Sequence, residues 1–300
     1  MSICIHPATS MFMGDSDHNP LYKKPEPATA EAFFSTLILS ASGWRGVFGK
    51  RDDDLDGALS PAALYAAGRM ASVFADYLKS LFPAEQVRVA VGIDTRPTGP
   101  ALADAMIRIF LAKELAVDYG FVMTAPEIMA FVNRRGVLAE GASQPGSPEP
   151  RQNPGIHGFS YISASHNPPG HNGVKFGLGD GGVLAPAISA NLIAALKDGA
   201  CSREDIDHIA GLMESAAPEK VAAVFTSAPA VKRYAMSDYL LFSREIFNGI
   251  PSENMEDQEA VFNLLAEEAE RYGIGIIAEM NGPARSLSID DTYIKSQHGR

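Results

Sequence analysis

The segment Ser163-Ala164-Ser165-His166-Asn167-Pro168 sets hydroxyls, an imidazole and an amide at close spacing, with Gly170, His171, Asn172, Gly173, Val174 and Lys175 close behind. A hydroxyl such as that of Ser165 is a weak nucleophile unless a base assists it. A phosphorylated Ser165 is instead an electrophilic phosphoryl donor. The bland reading is an Asn-Pro turn whose Ser and Asn satisfy backbone groups, and on this short segment alone it is the favoured one. A Ser-His hydrolase is the poorer competitor, because His166, adjacent in sequence to Ser165, need not point at the same hydroxyl.

Two further segments change that weighing. Gly43-Trp44-Arg45-Gly46-Val47-Phe48-Gly49 places an arginine between glycines, where backbone can approach a ligand and a guanidinium can fork onto phosphate oxygens. Its alternative is an ordinary turn arginine. Asp94-Thr95-Arg96-Pro97 follows a strand ending near Gly92, at the strand end where open α/β sheets place ligands. Its alternative is a buried Asp–Arg pair that holds the loop.

The elements that must carry these loops read as an α/β alternation. Ser60 as cap, Pro61 in the first turn and the spacing of Leu64, Met70, Phe74 and Leu81 predict a helix over 60–81. A strand over 87–92, a helix over 100–113, a strand over 117–123, a helix over 126–135 and a strand over 158–163 follow. Residues 1–28 lack periodicity and read as an irregular arm. The Gly, Ser, Pro and Gln run over 140–156 reads as a flexible insertion, and a helix is expected over 185–197. A polar segment over 201–228 reads as a linker. Beyond it come a helix near 231, a helix over 257–272 and a strand over 274–278, which leaves a second unit unfinished at residue 300.

The chain's 36 acidic and 25 basic residues give a net charge of -11, which argues against a nucleic-acid duplex or an anionic membrane as main partner. A small anionic substrate is compatible if basic groups gather locally. Cys4 and Cys201 form no CxxC or metal-ligand spacing, which fits a reducing compartment. No apolar run approaches the roughly 18 residues of a membrane span. Asp15, Asp17 and Pro20 interrupt any signal-like stretch, so the cytoplasm is the expected location.

Taken together, 43–49, 92–96 and 163–176 resemble the α-D-phosphohexomutase superfamily, the phosphoglucomutases and phosphomannomutases, in order and approximate spacing. The family's active-serine segment reads Thr-Ala-Ser-His-Asn-Pro followed by Asn-Gly-(Ile/Val)-Lys-Phe, and here only the first threonine departs, as Ser163. The resemblance implies a three-layer α/β/α first domain with a mixed sheet over 29–200 and an incomplete second α/β domain over 229–300. Within 276–282, Glu279 stands where an aspartate is common. Carried over by position, Ser165 is the phosphoserine with His166 beside it, and Lys175 and Arg45 are the cations nearest the transferred phosphoryl. Arg96, Asp94 and Asn167 bind phosphate or support the loop. The implied activity interconverts hexose 1-phosphate and hexose 6-phosphate, of glucose or mannose with an amino sugar possible, through a hexose 1,6-bisphosphate.

The resemblance also implies one Mg²⁺, ligated by Ser165 through its phosphate. The family's remaining ligands come from Asp-x-Asp-x-Asp-Arg, which does not occur before Arg300. Asp52-x-Asp54-x-Asp56 lacks the arginine and fails as an EF-hand, since Ala63 stands at its twelfth position. It reads as a solvated loop. Gly177 to Gly182 matches neither a P-loop nor a dinucleotide pattern, and His157, His171 and His208 read as polar loop or helix-surface residues. The chain is therefore expected to be an amino-terminal portion, inactive alone. The rival expectation is a non-catalytic remnant that binds phosphosugar or a partner.

Overall fold

Apolar residues spaced for strands and helices in turn produce the predicted alternation in a computed structural model that describes residues 3–7, 10–138, 155–250, 254–275 and 283–288. In chain order the elements are β1 (Ile3–Ile5), β2 (Phe12–Asp15), α1 (Pro27–Ser35), β3 (Ile38–Ser40), β4 (Gly43–Val47) and α2 (Pro61–Leu81). Then follow β5 (Arg88–Ile93), α3 (Gly99–Ala112), β6 (Ala116–Val122), α4 (Ala125–Arg135), β7 (Gly158–Ile162) and β8 (His171–Leu178). The chain continues with α5 (Pro186–Lys197), α6 (Arg203–Ser215), α7 (Pro218–Asn248), α8 (Met255–Tyr272) and α9 (Pro283–Ser286). Helix starts follow the expected chemistry: the Ser60 side chain accepts the Ala63 N–H at 3.2 Å, and Thr124 and Glu127 form a capping box at α4.

Six strands form one mixed sheet in the order β3-β4-β8-β7-β5-β6. β5 runs parallel to β6 and β7, while β8 is antiparallel to β7 and β4. Alternate residues of β5 face opposite layers. Val89, Val91 and Ile93 join the larger core with α2 and α3, and Ala90 joins Phe159 and Tyr161 against Ile128, Phe131 and Val132 of α4. Helices thus cover both faces, which gives the three-layer α/β/α arrangement.

Several boundaries differ from the expectation. The 1–28 arm contains an antiparallel β1–β2 hairpin with Met13 buried behind it. These strands are too short to show a period, and a polar group holds them: Arg108 of α3 donates to the carbonyls of Asp15, Ser16 and His18 at 2.7, 3.2 and 3.1 Å. The polar 201–228 segment is no linker but forms α6 and the start of α7. Ile206, Ile209 and Met213 bury one face of α6, and Val221, Val224 and Phe225 of α7 join the same core, so the polar composition belongs to the outer faces. The expected boundary at 229 falls inside α7, whose Val231 and Ala235 continue into the core under α4.

Of the 140–156 insertion, only Gly155 and Ile156 lie within the described residues, and Ile156 is buried with its N–H bonded to Arg135 O at 2.9 Å. Ile274 and Gly275 follow α8 without strand structure, and 276–282, which carry the rest of that expected strand and the second-domain resemblance, lie outside the described residues. Among the described residues no helix is long and apolar enough to cross a membrane.

Candidate active site

The parallel strands β5, β6 and β7 all end on one side of the sheet, and the turns that follow them converge there. After β5, the Asp94 carboxylate accepts the Arg96 main-chain N–H at 3.0 Å and its Nε–H at 3.1 Å. That pair aims the rest of the guanidinium at the next loop. Its terminal nitrogens donate to the carbonyls of Ser165 at 2.8 Å, Asn167 at 2.6 Å, His171 at 3.3 Å and also Pro168. Arg96 therefore acts as a staple on the serine loop, with its donors engaged by protein rather than turned to a ligand.

The loop is clamped from its other side too. The Gly170 N–H donates to Asp52 O at 2.8 Å, and its carbonyl accepts from Phe48 and Gly49 at 3.0 and 2.9 Å. A Cβ on Gly170 would stand 1.8 Å from the Arg51 carbonyl oxygen, so only glycine permits this approach. Asn172, fully buried, donates to Thr98 Oγ1 at 2.9 Å and ties β8 to the turn before α3.

Between these clamps Ser165 is exposed and held at φ +58°, a left-handed conformation that costs a non-glycine residue about 1–2 kcal/mol. Its N–H donates to Ser163 Oγ at 3.0 Å, so the Ser163 hydroxyl closes the turn. Its own Oγ lies 3.4 Å from His166 Nδ1.

Ser165, His166, Asn167, Lys175, Asp94 and Arg96 line one cleft of about 590 Å³. Lys175 stands opposite Tyr161 in the β7–β8 ladder and packs on Gly43, where a Cβ would stand 3.1 Å from the lysine Cγ and whose φ of +136° itself favours glycine. Its ammonium makes no hydrogen bond or ion pair among the described residues. Arg45 is exposed on β4 opposite Gly173, on the same sheet face as Lys175, but it does not line the cleft.

Three lining groups were not singled out from sequence. Thr124 brings the start of α4 to the cleft, and its capping-box spacing to Glu127 was a usable signal. Tyr161 faces inward with its hydroxyl on Met123 O at 3.0 Å, and burial raises its pKa well above the usual phenol range, so it stays neutral. Arg285 of α9 arrives from far along the chain with no sequence motif to mark it.

The described residues do not fit a resident Mg²⁺. No group of three or more His, Cys, Asp or Glu side chains among them could hold a metal ion. Asp54 accepts the main-chain N–H groups of Lys50 and Asp56 at 2.7 and 3.0 Å, and Asp56 pairs with Lys50 at 2.6 Å, so the acidic loop is folded on itself. Asp54 is also buried, not solvated as expected, and those two backbone hydrogen bonds hold its pKa below the ordinary carboxylate range. His171 caps the same loop, 3.2 Å from Asp52. His157 is a buried loop residue just before β7, accepting the Arg88 N–H at 3.0 Å, and His208 is exposed on α6.

The family model described as phosphoglucomutase/phosphomannomutase, alpha/beta/alpha domain I, matches residues 37–201. Phosphoglucosamine mutases of Streptococcus pneumoniae strains Hungary19A-6 and D39 / NCTC 7466 are each 33% identical over 138 residues, 46% of this chain and 26% of theirs. The chain thus covers about a quarter of the length of these curated relatives. A crystal structure of a phosphoglucomutase/phosphomannomutase family protein from Burkholderia thailandensis is 21% identical with a TM-score of 0.38, covering 54% of this chain and 30% of that one.

Proposed function

We propose that this chain, which belongs to the phosphoglucomutase/phosphomannomutase family through its α/β/α domain I, supplies the phosphoserine half of a hexose-phosphate mutase site. The observation that carries the reading is the presentation of Ser165: exposed at the tip of a doubly clamped loop, with the unengaged Lys175 ammonium lining the same cleft. A loop fixed before reaction needs little reorganisation when charge develops, which is what phosphoryl transfer demands of a protein.

In the proposed cycle Ser165 carries the phosphoryl group. A sugar hydroxyl attacks phosphorus, the new sugar O–P bond forms and the Ser165 Oγ–P bond breaks. Ser165 Oγ leaves with the electron pair of the broken bond and takes up the proton that the sugar hydroxyl gives up, so the serine ends as a free hydroxyl. The resulting hexose 1,6-bisphosphate turns over and returns its other phosphoryl to Ser165, so the serine is regenerated. Lys175 stabilises the equatorial oxygens. Arg45, on the same sheet face, adds positive potential without a lining contact, and His166 hydrogen-bonds the serine oxygen as it leaves. Glucose and mannose phosphates are the proposed substrates, and the phosphoglucosamine mutase relatives add an amino-sugar phosphate to that class.

Incubation of the purified chain with glucose 1,6-bisphosphate, followed by intact mass and peptide mapping, should place one phosphate on Ser165, a single half-reaction short of the mutase turnover that the chain alone is not expected to show. The Ser165→Ala chain should take up none. Phosphate found only elsewhere would rule the mechanism out.

A further inference from the structure

A second pocket, of about 490 Å³, opens where the end of β6 meets α7, and among the described residues it shares no lining residue with the serine cleft. Its volume falls within the roughly 300–1,000 Å³ of small-molecule sites. An irregularity in the sheet forms one wall. In the β5–β6 ladder Val91 pairs with Tyr119 and Ile93 with Val122, so β6 carries one residue more than its partner, a bulge. Phe121 sits in that bulge at φ +56°, a left-handed conformation that a bulky side chain adopts only when its surroundings impose it. Its ring stacks on the His6 imidazole, with centroids 5.2 Å apart and planes at 19°. Backbone strain of this kind gathers at functional sites, and Phe121 lines this pocket and not the cleft.

Another wall is α7, where Pro229, Lys232, Arg233 and Met236 recur at i, i+3, i+4 and i+7 and so share one helix face. That face, His6 and Leu287 all lie outside residues 37–201, so the pocket is not part of the matched domain alone. Among the described residues its lining holds no hydroxyl, amide or carboxylate side chain, which leaves the hydroxyls of a sugar without side-chain acceptors. Of its basic groups, Lys232 is offset by Glu127 at 2.5 Å. Burial, with Lys232 adding to it, holds the His6 imidazole below its ordinary range, so the ring is uncharged at neutral pH. Arg233 is exposed and makes no hydrogen bond or ion pair among the described residues. One available positive charge beside apolar walls matches one negative charge on an apolar body, and a phosphate dianion would exceed it. A rigid ring fills such space with the least loss of conformational freedom. We propose that this pocket binds a small aromatic carboxylate, its ring among Phe121, Val122 and Met236 and its carboxylate on the Arg233 guanidinium. Arg233 can meet a carboxylate with two parallel N–H donors.

The site stands or falls apart from the phosphoserine reading, since its test needs no phosphate on Ser165. The full chain is titrated calorimetrically with naphthalene-2-carboxylate and with the neutral naphthalene-2-methanol. The carboxylate should saturate a single site, and the alcohol should bind it more weakly. Arg233→Gln should weaken the carboxylate by about tenfold and leave the alcohol unchanged, whereas Met236→Trp, which fills the pocket, should abolish both. Met236→Phe takes its place if circular dichroism shows the Trp variant unfolded. Absence of saturation up to about 1 mM carboxylate, equal carboxylate affinity in Arg233→Gln, or binding undiminished by the Met236 substitution overturns the proposal. So does displacement of the carboxylate by glucose 6-phosphate, which would put it in the serine cleft.

Discussion

The guanidinium of Arg96 donates to the main-chain carbonyl of Ser165 at 2.8 Å, so the residue after β5 fixes the backbone of the residue after β7 that presents the hydroxyl. Phosphoryl transfer depends on that presentation. A hydrogen bond to a charged group contributes about 1.5–3 kcal/mol, and Arg96 makes several with its side chain only 9% exposed.

Replacing Arg96 by Lys keeps the charge but loses the fork. Arg96→Lys should destabilise the fold by about 2–4 kcal/mol, because the Asp94 carboxylate and several carbonyls lose partners. Phosphate uptake at Ser165 should also slow by at least about tenfold. Urea unfolding and a time course of incorporation check both, and a variant as stable and as fast as the parent would show that Arg96 is no staple.

Lys175 and Arg45 should separate, since only the first lines the cleft. Lys175→Met should reduce single-turnover phosphoryl transfer by about 10²–10³-fold, whereas Arg45→Gln should cost about tenfold or less. Sugar-phosphate binding should change less than transfer in both. Equal losses would place Arg45 in contact with the reacting group.

A pH effect is expected away from the site, at the anchor of the amino-terminal hairpin. Burial pushes the Asp104 carboxyl up to about 6 despite the opposing pull of Arg108 at 2.8 Å. The folded chain therefore holds this proton more tightly than the unfolded chain, whose carboxyl titrates near about 3.9. Its contribution to stability is greatest below that value and is lost as pH rises toward 6. Asp104→Asn removes this titration, so the wild type should lose stability relative to the variant between roughly pH 4 and 6. Urea midpoints across that range give the difference, and a gap that does not change with pH would refute the coupling.

Much of this was legible in the sequence, because the signals are local. Ser60-Pro61 starts α2, the apolar runs mark β5 and β7, and the 163–176 segment carries the serine loop through its own turn chemistry. Even the Asp94–Arg96 pair was foreseeable as a loop support. The 201–228 segment shows where local reading fails: its polar outer face hid an apolar stripe that becomes visible only against α2 and α3. The short strands β3 and β4 carry no period and exist because β8 pairs with β4.

The sequence by itself determined which residues can do chemistry, since a serine, a lysine and two arginines bring their reactivity wherever they fold. Tertiary structure decided their jobs. Arg96 is taken by four carbonyls from a loop distant in sequence, Arg45 stands outside the cleft, and Arg285 enters it. The physical reason is that a guanidinium's role is set by which acceptors lie within hydrogen-bond reach, and those acceptors come from elements whose meeting no local pattern encodes.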